Sequence, residues 1–410
     1  MNYFQVIYII LFFFSITDFI NPRDVRFHKN MYNLAFFSLF LLCFVKYYFG
    51  PDIAAYNSLY SSIPNVVELF QGYKLNTFFE KGFAYFCSIL KLFNISFWGM
   101  TAVVTCIYFY ALHQLFKLIP TKRCLALLIL VIFDKDLMFI QYRQCLAISF
   151  YILMYLSYIN KKSIKVLIYA VLAVLFHKSA FIFVFPSLIL LYLPIVIKSR
   201  TYFICFITFL LVLFLPWQAI LLKVIKLLGF SSGIVLSLEY HLSHRAGFQI
   251  IFVIYSLILL LLSVLELKDN KFMSMNKLMF VSWIFVIMSI HFPAMQGRMR
   301  SYLIPFLIVY LFNACYYFRD STVVQYNRFI ISDLSKSIVC YSISSLLILF
   351  SFYTLFTGIK KRNTLESGLY NSSTIFELFR HSKDELIKRQ KEKARIYWAT
   401  EKDMSIGKNK

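Results

Sequence analysis

Apolar runs of about 15–22 residues follow one another along nearly the whole chain, separated by short polar connections, which is the pattern of a chain that crosses a bilayer many times. None of the runs alternates strictly between apolar and polar positions. Every backbone group in hydrocarbon must be hydrogen-bonded within its own segment, so the runs predict helices and not barrel strands. The expected fold class is all-α, a polytopic integral membrane protein with about 11–13 membrane helices. The clearest part of the pattern lies within residues 139–182, where Ala147–Ile159 and Ile164–Leu175 form two apolar helices joined by a basic turn from Asn160 to Lys165. At about 1.5 Å per residue each is just long enough to cross most of a hydrocarbon core of roughly 30 Å. An antiparallel hairpin returns its ends to one side. Arg143, Gln144, His177 and Ser179 are therefore expected together at the face opposite Lys161 and Lys162.

Further spans are predicted over about Tyr3–Ile16, Met31–Tyr48, Trp98–Phe116, Phe181–Ile195, Tyr202–Trp217, Gln249–Leu265, Leu278–Ile290, Tyr302–Tyr317 and Ile338–Ile359, with one opening at Leu125. The start of the chain lacks a basic leader and a small-residue cleavage site, so it is read as a retained first span. Two long connections, residues 50–82 and 218–248, are expected as external loops. Phe83–Phe97 is short for a span and contains Lys91. If it crossed fully, Lys117, Lys122, Arg123, Lys161, Lys162 and Lys165 would all face outside, against the basic-loop rule. Residues 80–95 are thus expected as a short re-entrant or interfacial helix. The organisation is one membrane domain over residues 1–357 and a basic tail over 358–410, part of which could form a helix with a partial apolar face, solvated or lying on an anionic membrane surface.

Composition agrees: 60% of the 410 residues are apolar, 20% aromatic and 15% charged. The formal charge of +23 could suggest nucleic acid, but the Lys and Arg sit in the connections and the tail, where they orient the spans. The bilayer is an expected partner and nucleic acid is not. The eight cysteines contain no CxxC pair and read as packing residues. His241 and His244 have metal-like spacing but no evident third ligand beyond Glu239, so neither metal nor cofactor is expected. A P-loop, GxGxxG, GxSxG and DxD motif are all missing, which disfavours nucleotides and nucleotide-sugar donors.

On this topology the outer face collects Asp52, Tyr56, Glu80, Arg143, Gln144, His177, Ser179, His241, His244, Arg245, His291, Arg298 and Arg300. Charged groups that converge at membrane depth line an aqueous cavity or bind a substrate. Arginine carries a fixed fork of donors matched to phosphate oxygens, so several on one face suggest an anionic ligand. Arg143 and Arg298 each open a helix whose N-terminal dipole also favours an anion. His177, Glu80 and Asp52 are candidate bases for a hydroxyl.

Ordered along the chain, Gly50-Pro51-Asp52 with Tyr56, Phe79-Glu80-Lys81-Gly82-Phe83, Arg143-Gln144 with Ala147, the Lys161-Lys162 turn, Phe176-His177 with Ser179-Ala180, and Arg298 with Tyr302 resemble the elements of EpsG-type proteins, grouped with Wzy-type polymerases of bacterial O-antigen, capsule and exopolysaccharide. The resemblance covers roughly residues 20–315; Ile53 and Lys81 depart from the family pattern. It implies a metal-independent glycosyltransferase that polymerises undecaprenyl-diphosphate-linked oligosaccharide repeat units at the outer face of the bacterial cytoplasmic membrane, with a chain-length regulator as a possible partner. In that reading Arg143, Gln144, Arg298, Arg300 and Ser179 bind substrate, Tyr56 and Tyr302 stack on sugars, and His177, Glu80 or Asp52 is the base. Two other classes stay open. A flippase of lipid-linked units would want a similar basic cavity but should show related halves. A membrane O-acyltransferase would want an acidic partner close to His177, and none stands near it in the sequence.

Overall fold

The computed structural model describes residues 3–20, 24–45, 53–73, 75, 80–139, 141–213, 223, 256, 258–260, 262–263, 269–289, 293–319, 385 and 388. Asp52, the expected external loop 218–248 with His241, His244 and Arg245 (Lys223 excepted), His291, the last apolar run and the tail beyond Glu385 and Lys388 lie outside the described residues. The helices described from end to end are α1 (Tyr3–Thr17), α2 (Val25–Phe44), α3 (Ile53–Ser62), α4 (Val66–Phe70), α5 (Lys81–Leu92), α6 (Phe97–Phe116), α7 (Arg123–Phe139), α8 (Tyr142–Ile159), α9 (Ser163–Phe176), α10 (Ala180–Tyr192), α11 (Ser199–Leu213), α12 (Asn270–Met288) and α13 (Pro293–Arg319). The protein is an all-α membrane protein. Among the described residues α6, α12 and the Gly297–Tyr316 part of α13 are long and apolar enough to cross a bilayer; α9, α10 and Val6–Thr17 are apolar but shorter. Full-length spans are thus fewer here than the expected 11–13.

The helices group into two compact units, one within residues 1–184 and one within 185–336, with α10 continuing from the first into the second. The first is built around α8, in which every residue from Gln144 to Ser149 and from Tyr151 to Tyr155 is buried. A helix apolar all round belongs inside a bundle. By contrast α9 buries only Val166, Ala170, Ala173 and Phe176, one stripe at helical spacing, and exposes Leu167, Ile168, Val171 and Leu175 on the opposite side. The two alanines let its backbone approach α8 closely. The hairpin closes with a left-handed residue, Lys161 at φ 56°, whose N–H bonds the Tyr158 carbonyl while that of Lys162 bonds Ser157. This is the double-bonded helix stop usually made with glycine.

Ring contacts fix which ends of the first unit share a side. Phe97, at the start of α6, meets Tyr142, at the start of α8. At the far end of α6, His113 stacks on Tyr32 of α2, and Arg123 of α7 lies over the same ring. Arg26, Lys29, Lys117, Lys122, Arg123, Lys161, Lys162 and Lys165 therefore gather at one end of the bundle, and Arg143 and His177 lie at the other. This segregation depends on α5 not crossing. Its twelve residues span only about 18 Å at the usual rise. Gly82 and Phe86, one turn apart, both meet the Leu175–Phe176 end of α9, so α5 crosses that end and does not run along the helix. The expected short helix at 80–95 is present.

The second unit packs α12 against α13. Its core is Tyr202 of α11, whose ring lies 5.0 Å from Phe280 and 5.3 Å from Trp283 and whose hydroxyl donates to Asn276 Oδ1 at 2.7 Å. Trp283 in turn donates to Ser256 Oγ at 3.0 Å, which satisfies a buried indole N–H. Every residue of α13 from Ser301 to Ala314 is buried.

Candidate functional site

Three helix ends converge on one carboxylate. Arg143 is the second residue of α8; His177 leaves the helical conformation at the end of α9, at φ −153° and ψ 118°; Glu80 stands at the N-terminal boundary of α5 without capping it through its side chain. The carboxylate is turned instead to the other two. Its Oε2 accepts from Arg143 Nη1 at 2.6 Å, and its Oε1 lies 3.0 Å from His177 Nδ1. The Lys178 backbone N–H also points at Oε1, at 3.5 Å. The three side chains keep only 19% (Arg143), 11% (Glu80) and 11% (His177) of their surface.

Tyr56, on α3, closes the cluster from the other side. Its hydroxyl accepts from Arg143 Nε at 3.2 Å, and the guanidinium sits 5.7 Å from its ring centre. Arg143 is thus held by a carboxylate at Nη1 and a phenol at Nε, which fixes the plane of the fork. The Tyr56 ring packs edge-on against Tyr142 and Phe83, with 8% of the residue exposed. In this position it supports the arginine. Tyr302 is wholly buried in the second unit.

Burial by itself would raise the Glu80 carboxyl, but the His177 hydrogen bond and the Arg143 charge outweigh it and hold the group at about 2, against an ordinary value of 4.5. A carboxylate so stabilised is a weak base. The folded value is depressed, so the contribution of Glu80 is complete above about pH 4.5 and is lost as pH falls towards about 2. Thermal midpoints of the wild-type protein and Glu80→Gln in detergent are expected to differ at pH 6 and to converge across that acid window.

His177 is oriented by its Nδ1. Its Nε2 is buried and has no hydrogen-bond partner among the described residues. A neutral imidazole that donates from Nδ1 to a carboxylate keeps a lone pair on Nε2, the form required of a proton acceptor. The acidic partner that sequence proximity did not provide for His177 is therefore Glu80, far away in the chain. Ser179, two residues on, has a buried hydroxyl that also lacks a partner among the described residues, and Gln144 is buried beside Arg143 in α8.

Of the expected site residues, the fold brings Tyr56, Glu80, Arg143 and His177 into contact. In the second unit Arg298 is exposed near the start of α13, and Arg300 is half-buried, its Nε unpartnered among the described residues. One residue not assigned a role from sequence proves decisive. A Cβ on Gly82 would sit on the backbone carbonyl of Leu175, so only glycine lets α5 touch α9 and carry Glu80, two residues earlier, to His177. Its signal was present in the Glu80-x-Gly82-Phe83 run.

A family model for the EpsG family matches residues 29–359 of the chain. Neither a curated protein nor a solved structure matches it.

Proposed function

The chain belongs to the EpsG family, and on that footing we propose that it is a polysaccharide polymerase that joins oligosaccharide repeat units carried on undecaprenyl diphosphate at the outer face of a bacterial cytoplasmic membrane. Family membership carries the polymerase-type, glycosyltransferase-like function; the lipid-diphosphate donor, the absence of a metal and the membrane side are the parts proposed. The observation that supports the reading most is the Glu80 carboxylate shared between Arg143 and His177. Sidedness is supported by the gathering of basic residues at the opposite end of the bundle, which by the positive-inside rule faces the cytoplasm.

In the proposed reaction the bond between the anomeric carbon of the growing chain and its diphosphate breaks, and a bond from that carbon to a hydroxyl of the next lipid-linked unit forms. His177 Nε2 takes the hydroxyl proton. Glu80 fixes the tautomer and stabilises the imidazolium that results. Arg143 offers a permanent positive charge to the departing diphosphate from a partly dry site, where such a charge acts more strongly than in water. Gln144 and Ser179 are proposed as polar contacts to substrate, and Arg298 and Arg300, in the second unit, keep on their chemistry alone the phosphate-binding role expected of them. Asp52 keeps the carboxylate chemistry expected of it.

The test uses purified full-length protein in phospholipid vesicles supplied with a polyprenyl-diphosphate-linked oligosaccharide. Wild type is expected to extend it into a ladder of multiples. His177→Gln, which keeps a hydrogen bond to Glu80 but cannot take a proton, is expected to slow extension by about 10²–10⁴-fold. Wild-type rates in His177→Gln would remove the histidine from the reaction. An O-acyltransferase is the second reading that the Glu80–His177 pair favours, and it predicts acyl transfer without any ladder.

A further inference from the structure

Lys91, in the last turn of α5, is a cationic side chain that the proposed reaction does not use, and it reaches across to α3. Its ammonium donates to the Ser61 carbonyl at 3.0 Å and, more closely, to the Ile63 carbonyl, and it lies 5.3 Å from the centre of the Tyr60 ring. The sequence explains why the Ser61 carbonyl wants a donor. In a continuing helix the Ser61 carbonyl would be bonded by the N–H of residue 65, but Asn65 gives its N–H to Glu68 in the capping box that starts α4. Pro64 has no N–H to offer to Tyr60, whose carbonyl takes the Ile63 N–H instead. The Ser61 carbonyl in the last turn of α3 is thus left without its usual helical donor, and a lysine from another helix supplies one. Two neighbouring bonds join the same segments: Ser88 Oγ donates to the Pro64 carbonyl at 2.6 Å, and Tyr60 Oη donates to the Ile95 carbonyl at 2.7 Å.

These bonds matter because of what the two helices carry. The hydroxyl of Tyr56, on α3, holds Arg143 Nε, while Glu80, at the start of α5, holds Arg143 Nη1. The arginine fork is gripped by two helices that are separated in sequence by the α4 segment, and the join between them sets the spacing of the grip. We infer that Lys91 is a positioning residue for the candidate site: by tying the end of α3 to α5 it sets Tyr56 opposite Glu80 and so fixes the direction of the Arg143 guanidinium. The inference rests on the polymerase reading, because direction matters only if the guanidinium meets a reacting group.

The test measures chain extension in vesicles, per molecule of protein in the membrane, for Lys91→Met, Tyr56→Phe and the double variant. Met keeps the apolar stem and loses the donors. Lys91→Met is expected to lower the rate roughly ten- to hundredfold, the scale of a displaced positioning group, at unchanged protein level. Because Lys91 acts through Tyr56, the double variant is expected to be no slower than the slower single one. Multiplying losses, or a wild-type rate in Lys91→Met, would overturn the proposal. If Lys91→Met does not accumulate, Lys91→Gln replaces it: its side chain keeps a donor but is one bond too short to hold both carbonyls as the lysine does, so a slowed rate with the same non-additivity is required and a wild-type rate counts against the role. Cells lacking the gene are analysed in parallel. Unchanged glycan length in them sinks the polymerase reading itself, whereas shortened glycan there with a full rate in Lys91→Met sinks the role of Lys91 alone.

Discussion

Replacing Arg143 with alanine is expected to reduce the glycan product to a single repeat unit on its acceptor. Removing one fixed charge that stabilises a developing anion costs about 10²–10³-fold in rate, and a polymerase slowed that far yields no visible ladder. The substitution also leaves Glu80 partly buried without its cation. Breaking such a pair from one side costs about 3–5 kcal/mol when it is deeply buried, and the remaining exposure of the arginine places the expected loss at the lower end of that range. Arg143→Lys is expected to restore stability but little activity. One ammonium can pair with Glu80, but it cannot also present a second donor to the Tyr56 hydroxyl in a fixed plane. Chain-length analysis together with thermal midpoints of the two variants separates the electrostatic part of the defect from the geometric part.

The second large effect is expected at a residue that bears no functional group. In Gly82→Ala the added methyl collides with the Leu175 backbone carbonyl, which cannot rotate away as a side chain could. Relief requires α5 to lift from α9, at a cost of about 1–3 kcal/mol. Glu80 moves with α5 and its 3.0 Å contact with His177 opens. A displacement of about 1 Å in a positioned group is worth about 10²-fold in rate, so activity should fall much further than stability. Gly297→Ala in α13 is the matched control. A Cβ there meets nothing within 4 Å, and since alanine favours a helix by about 1 kcal/mol over glycine, that variant is expected to be at least as stable as wild type. Melting curves and extension rates for the pair decide the matter.

The hairpin was legible in the sequence because its signal is local. Two apolar runs of near-spanning length and a turn of lysines fix an antiparallel pair, and any such pair brings Arg143 and His177 to one end. The short helix at 81–92 was legible for a different reason: the side on which lysines collect constrains the number of crossings between them, and only a non-crossing α5 keeps them together. The role of Glu80 was not legible from spacing. It lies 63 residues from Arg143 and 97 from His177, and only the tertiary crossing of α5 over the end of α9 joins them. The surroundings of the tyrosines were not legible either: an aromatic ring in a polar motif suggests a platform, whereas the fold buries Tyr302 completely and engages the Tyr56 hydroxyl with Arg143. Lys91 was visible only as an awkward charge in an apolar run. The missing backbone donor that it replaces at Ser61 depends on the Asn65–Glu68 capping box, which no periodicity reveals.

The central claim is that this membrane protein lengthens a lipid-linked glycan. Its most direct test is the length distribution of that glycan in cells deleted for the gene and complemented with wild type or Arg143→Ala at equal protein level. The account predicts single repeat units on the acceptor in the deletion and in the Arg143→Ala strain, and a restored ladder with wild type. Chains of normal length in the deletion strain would contradict it, and so would single units held on the cytoplasmic side of the membrane with no surface glycan, which is the result expected of a flippase.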